Sequence, residues 1–133
     1  MKALIKGKMP RSLLLLLTLL LPNCVQETHV KTVTFQVDMN GEEQVQNVGI
    51  RGSFTPNSWN ETLPLSDEDG DGIFEASFSQ KTAISQIQFK FVNRDSYELE
   101  GKDNRVLKFA YEPETITYKA IFDDEQEIQI IKK

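Results

Sequence analysis

Two short stretches of the chain carry most of the groups that could bind a ligand. The first, Gly52 to Trp59, ends in the only tryptophan. The second, Gln88 to Arg105, places a Lys on a predicted strand, followed by an aromatic residue, two acids and an Asn-Arg pair. An aromatic ring offers a flat apolar face, and the polar groups can bond hydroxyls. If the fold brings the two stretches together, they would suit a sugar ring.

The chain around these stretches shows the alternation of apolar and polar residues that predicts β-strands. Val33, Phe35, Val37 and Met39 share one face of the first strand, and Ile87, Phe89 and Phe91 share one face of a later strand. No segment shows helical periodicity with a proper cap. Seven or eight short strands with turns between them predict an all-β, antiparallel sandwich with an immunoglobulin-like arrangement.

The order of several segments resembles the starch-binding domains of carbohydrate-binding module family 20 and their glycogen-binding relatives. The resemblance covers Lys31 to Asp123, most of the chain that would remain after signal removal, and rests on these segments: VTFQVDM from Val33, VGIRGSF from Val48, Trp59, LPLSDEDGDGIFEASF from Leu63, QFKFVN from Gln88, and Asn104-Arg105. It implies an immunoglobulin-like sandwich and binding of α-glucan. We expect the protein to use no cofactor.

The resemblance also implies which residues bind the sugar. Trp59 matches the first stacking aromatic of the family, and Lys90 matches its strand lysine. Glu100 and Asn104 keep the spacing of its acid and amide. The family's second aromatic is replaced by Leu99, which has no ring, and Tyr97 is expected to take its place. Arg105 is expected to clamp a loop through its donors rather than touch the ligand.

The first 23 residues are predicted to be a lipoprotein signal peptide. Basic residues precede an apolar run of nine residues from Leu13 to Leu21, too short to span a bilayer. Cys24, the only cysteine, stands where such a peptide would be cut and lipidated, although Pro22 and Asn23 depart from the usual small residues. The alternative is an ordinary signal peptide with an incidental cysteine. We expect residues 24–31 to form a tether, residues 32–133 to form the domain, and the protein to be exported and anchored to a membrane of the cell envelope.

The charge of the chain argues against nucleic acid as a partner. The formal net charge is −5, and removing the four basic residues of the signal peptide, which contains no acid, would bring it to −9. Binding to nucleic acid depends on Lys and Arg neutralising phosphates. The expected partners are therefore an α-glucan, the membrane through lipid on Cys24, and other envelope proteins.

Catalysis and metal binding have little support in the sequence. His29 is the only histidine, which argues against Ser-His-Asp or zinc chemistry. The chain has enough carboxylates for the pair of acids that a glycosidase uses. A small sandwich, however, offers little space for a catalytic cleft around such a pair. Asp67, Asp69 and Asp71 match the beginning of a calcium loop, but its twelfth position is Phe78 rather than an acid. The preferred interpretation is an acidic turn, with no metal and no enzymatic activity.

Two functions remain open from the sequence. The first is non-catalytic α-glucan binding through Trp59, Lys90, Tyr97, Glu100 and Asn104. The second is a protein-interaction or assembly module that has lost sugar binding, for which the loss of the aromatic at Leu99 is the reason. The environment of Trp59 discriminates between them: an exposed ring flanked by Lys90 and Glu100 favours sugar, and a buried ring favours a protein partner.

Overall fold

A computed structural model of the chain describes Gly7 and residues 24–133. The described residues form nine β-strands and no helix: β1 His29–Asp38, β2 Gly49–Gly52, β3 Leu63–Pro64, β4 Ile73–Thr82, β5 Gln86–Asn93, β6 Ser96–Tyr97, β7 Arg105–Lys108, β8 Glu114–Ile121 and β9 Ile128–Lys132. The predicted all-β sandwich is confirmed. The signal peptide falls outside the described residues except at Gly7, and Cys24 is an exposed thiol. None of the described residues belongs to a helix that is long and apolar enough to cross a membrane.

The strands are arranged in two sheets. The first has the order β4-β1-β8-β9. In the second, β5 pairs with β2 along one edge and with β7 and β6 along the other, while β3 extends the sheet beyond β2. The pairs are antiparallel except β1 and β8, which run parallel with Phe35 opposite Tyr118. The expectation of a purely antiparallel sandwich is therefore corrected at this pair. The long stretch of chain between the two strands permits it, because a parallel pair needs a long crossover connection.

The core lies between the two sheets and is rich in aromatic rings. Phe35 of β1 lies 5.0 Å from Phe89 of β5, and Phe89 lies 5.0 Å from Tyr118 of β8, measured between ring centroids. All three side chains are almost completely buried. Burying one such side chain contributes about 1.5–3 kcal/mol. The alternation in β1 and β5 thus produces the sandwich by placing one face of each strand in this core.

One boundary differs from the prediction, and one strand was not predicted. Strand β1 begins at His29, inside the expected tether of residues 24–31. Lys31 is already buried in this strand, and its ammonium lies 2.8 Å from the Glu114 carboxylate. The short β6 was not predicted, since a two-residue strand has no alternation to detect. This strand carries Tyr97 and brings the number of strands to nine.

Candidate carbohydrate-binding site

The five side chains predicted to bind sugar line one open cavity. It has a volume of about 590 Å³ and is lined by Trp59, Lys90, Tyr97, Glu100, Gly101 and Asn104. Because Phe89 and Phe91 face the core, the pleat turns Lys90 to the outer face of the second sheet. The cavity therefore lies on the outside of the sandwich, where a polymer can reach it.

Trp59 is held at the end of a tightly folded loop. The carbonyl of Gly52 accepts hydrogen bonds from the main-chain N–H groups of Thr55 and Trp59, at 3.3 and 3.1 Å. Gly52 is required here because a Cβ atom would lie 2.4 Å from the carbonyl oxygen of Gln88. Asn57, Ser58 and Trp59 have positive φ angles of 56°, 33° and 66°. Such backbone costs roughly 1–3 kcal/mol per residue and is concentrated at functional sites in proteins.

Tyr97 is the second aromatic residue of the cavity. Its hydroxyl donates a 3.1 Å hydrogen bond to the carbonyl of Trp59, and the two ring centroids lie 6.2 Å apart with the planes inclined by 57°. The Arg51 guanidinium lies over the Tyr97 ring, 5.4 Å from its centroid. Tyr97 remains 40% exposed, and Trp59 is half-buried. The site therefore has two rings of fixed orientation that still reach solvent.

Lys90 supports the loop on the opposite side of the cavity. Its ammonium donates hydrogen bonds to the carbonyls of Leu99 and Lys102, at 2.8 and 2.9 Å. An ammonium has three donors, so one remains for a ligand. The residue is only 9% exposed, so most of the side chain packs against its surroundings. Lys90 thus both shapes the segment that carries Glu100 and presents one donor to the cavity.

Glu100 and Asn104 provide acceptors and donors at the rim. The exposed Glu100 carboxylate makes no hydrogen bond within the described part of the chain. The Asn104 amide donates a 3.2 Å hydrogen bond to the Gln88 side chain. Gly101 lies between them with a φ of 72°. The rim therefore combines a free carboxylate with an amide, groups that can bond to neighbouring hydroxyls.

A buried ion pair beneath the cavity was not foreseen from the sequence. Glu98 accepts from Arg105 at 2.6 and 2.9 Å, and it also accepts the main-chain N–H groups of Phe91 and Asp123. Arg105 donates to the carbonyls of Ile121 and Asp124. Burial alone would lower the pKa of Arg105, but the hydrogen bond and charge of Glu98 outweigh it and raise that pKa. Arg105 thus clamps the loops, as its fixed fork of donors had indicated.

Leu99 does not line the cavity, contrary to what its place in the family pattern implied. The side chain is 2% exposed, and the residue has a positive φ of 51°. Its N–H donates to the Asp123 carboxylate at 2.7 Å. Alternation turns Glu98 inward after the outward Tyr97, the left-handed residue Leu99 breaks the alternation and also lies inward, and Glu100 returns to the surface. The second aromatic position of the cavity is therefore filled by Tyr97 alone.

The three aspartates of the calcium-like motif form a turn. Their oxygens lie within 4.8 Å of one another. Asp67 accepts the N–H groups of Asp71 and Gly72, and Asp71 accepts that of Ile73. Burial raises the pKa of Asp67, but the hydrogen bonds, led by that from Gly72, outweigh it and lower the pKa. The carboxylates thus accept hydrogen bonds from main-chain N–H groups of their own turn.

His29, the only histidine, lies at the start of β1 against the ring of Tyr111. The centroids are 4.7 Å apart in an edge-to-face arrangement. Neither residue lines the cavity of Trp59. This contact indicates a packing role for His29 at the beginning of β1, the end opposite Asp38.

No protein-family model matches the chain, and no curated protein matches it. Among solved structures, CBM25-2 of the beta/alpha-amylase from Paenibacillus polymyxa is similar, with a TM-score of 0.46, 14% identity, and coverage of 79% of this chain and 94% of that one. CBM25-1 of the same enzyme has a TM-score of 0.45 and 14% identity over 78% and 93%. These similarities concern the arrangement of the strands and carry no information about the ligand.

Proposed function

We propose that this protein is a non-catalytic module that binds α-glucan of the starch or glycogen type. The observation that carries the proposal is the convergence of two fixed aromatic rings with Lys90, Glu100 and Asn104 in one external cavity. The rings supply apolar faces for the C–H groups of sugars, and the polar groups supply partners for their hydroxyls.

The inclination of the rings favours a curved glycan. Trp59 and Tyr97 meet at 57°, so together they form a bent apolar surface rather than a flat platform. An α-1,4-linked chain curves and turns successive glucose rings relative to one another. A β-1,4-linked chain is straight and would match coplanar rings. The site therefore suits an α-glucan better than cellulose-like chains.

The environment of Trp59 also favours sugar over a protein partner. The ring is half-buried, between the exposed and the buried environments that discriminate the two functions, and the support for sugar is that it shares its cavity with Lys90 and Glu100. We further propose that the module is an envelope lipoprotein anchored through Cys24, which is exposed and precedes the first strand. The lipid would hold the glycan near the membrane for other proteins to degrade.

Tryptophan fluorescence tests the proposal directly, because Trp59 is the only tryptophan. The full chain, kept soluble in a detergent without a sugar headgroup, is titrated with maltoheptaose and β-cyclodextrin, and with cellohexaose as the control. We expect a saturable change with the α-glucans and none with cellohexaose. By calorimetry, Trp59→Ala should weaken binding at least about tenfold, equivalent to about 1.4 kcal/mol.

The matched control variant is Tyr111→Ala, which removes an aromatic residue that is 64% exposed and lies outside the cavity. It should bind like the wild type. A flat response to both α-glucans would contradict the proposal and make protein docking the leading function.

A further inference from the structure

A second cavity adjoins the proposed sugar site. It has a volume of about 640 Å³, and two of its lining residues, Tyr97 and Glu100, also line the first cavity. Its other walls come from the β1–β2 loop, the β5–β6 hairpin and the segment after β8, and they include Glu42, Glu43, Gln44, Arg94, Ser96 and Asp123. The two cavities therefore meet at one aromatic ring and one carboxylate.

Specific hydrogen bonds hold the wall of the second cavity in place. Asn93 is 8% exposed, and its amide donates to the carbonyl of Gln44 at 2.8 Å and accepts the N–H of Gln46 at 3.0 Å. The N–H of Arg94 donates to the carbonyl of Gln46 at 2.8 Å, and its guanidinium bonds the Gln44 side chain. The loop is thus fastened to the turn that precedes Tyr97, which gives the second cavity a fixed shape.

We propose that the two cavities form one groove, and that the ligand is an internal stretch of glycan chain that crosses Tyr97 and Glu100. This inference rests on the proposed function and extends it. Trp59 and Tyr97 would hold sugar units in the first cavity, and further units would occupy the second. A carboxylate at the junction, free of other hydrogen bonds within the described residues, can bond hydroxyls of the units on either side.

The charge of the second cavity selects for a neutral chain. Glu42, Glu43, Glu100 and Asp123 line it together with Glu98, whose charge is paired with that of Arg105, and Arg94 is the one cation of its lining among the described residues. Several carboxylates around a groove repel an anionic ligand. Phosphorylated or uronic-acid polysaccharides are therefore disfavoured, while the hydroxyls of a neutral glucan can donate to these carboxylates.

Binding of maltooligosaccharides of increasing length tests the groove. Calorimetry on the full chain in the same detergent compares maltose with maltoheptaose. We expect wild-type affinity to rise with length. The double variant Glu42→Ala with Glu43→Ala should bind maltoheptaose about fivefold more weakly and maltose unchanged, because only the longer chain reaches the second cavity. The ligands are uncharged, so the altered net charge does not by itself change affinity.

The control is Glu112→Ala with Glu127→Ala, which also removes two negative charges, but from residues that line neither cavity. It should bind both ligands like the wild type. The groove is overturned if maltoheptaose binds in a Trp59-dependent manner but the Glu42 and Glu43 substitutions leave its affinity unchanged. Failure of every length to bind would instead overturn the proposed function itself, and the groove with it.

Discussion

The hydroxyl of Tyr97 donates a hydrogen bond to the main-chain carbonyl of Trp59, so the two aromatic residues of the cavity are coupled directly. Trp59 ends a loop with three consecutive positive φ angles, and Tyr97 lies on a strand of only two residues. Neither element would fix an aromatic ring well alone. The bond at 3.1 Å joins them across 38 positions of sequence and sets the relative orientation of their rings.

This coupling predicts different effects for two substitutions at Tyr97. Tyr97→Phe keeps the ring and loses the hydrogen bond, whose net contribution is about 0.5–1.5 kcal/mol, so maltoheptaose should bind only a few-fold more weakly. Tyr97→Ala also removes the ring and should weaken binding more than Tyr97→Phe. Calorimetry measures both. Equal affinities for the two variants would show that the ring itself contributes nothing.

The buried pair of Glu98 and Arg105 predicts a large effect on stability. Glu98→Ala leaves the Arg105 guanidinium buried without its carboxylate, and removal of one partner of such a pair costs about 3–5 kcal/mol. Urea denaturation should show the loss. The matched control is Glu125→Ala, which breaks the exposed pair with Lys102 and should cost at most about 1 kcal/mol. Similar midpoints for the two variants would disprove a structural role for Glu98.

The close approach at Gly52 predicts that even a methyl group is harmful there. In Gly52→Ala the new Cβ would lie 2.4 Å from the Gln88 oxygen and 2.8 Å from the Phe89 Cβ, so β2 must shift. We expect a loss of roughly 1–3 kcal/mol in thermal or urea unfolding, with weaker sugar binding because the Trp59 loop starts here. Gly41→Ala, which meets nothing within 4 Å, is the control and should be close to neutral.

The lowered pKa of Glu114 predicts how the stability of the fold depends on pH. Its burial raises the pKa, but hydrogen bonds from Lys31 and Lys132 outweigh this and hold the pKa below the usual 4.5. A carboxyl whose pKa is lowered on folding contributes stability that is fully present above its unfolded pKa. That stability should be lost as pH falls from about 4.5 through the lower folded value. Denaturation midpoints should decline less steeply over this window in Glu114→Gln than in the wild type.

The segment after Tyr97 shows where prediction from the sequence reaches its limit. Period-two alternation would place Leu99 on the same side as Tyr97, and the family pattern placed it at the ligand. The chain instead adopts a φ of 51° at Leu99, which breaks the alternation and leaves Leu99 buried like Glu98 before it. Burial of Glu98 depends on Arg105 and on the N–H groups of Phe91 and Asp123. Phe91 and Arg105 lie only seven positions from Glu98, and Asp123 lies 25 positions away, but periodicity does not show that all three meet one carboxylate.

The sequence by itself determined the all-β class and the core faces of β1 and β5, whereas the five side chains that share the cavity were expected from the resemblance to starch-binding domains. Alternation and spacing follow from local backbone geometry, which a short window of residues specifies. Only the tertiary structure decided the parallel pairing of β1 with β8, the role of Lys90 as a support for the next loop, and the junction of two cavities at Tyr97 and Glu100. These features depend on contacts between distant segments, and such contacts form only when the two sheets pack.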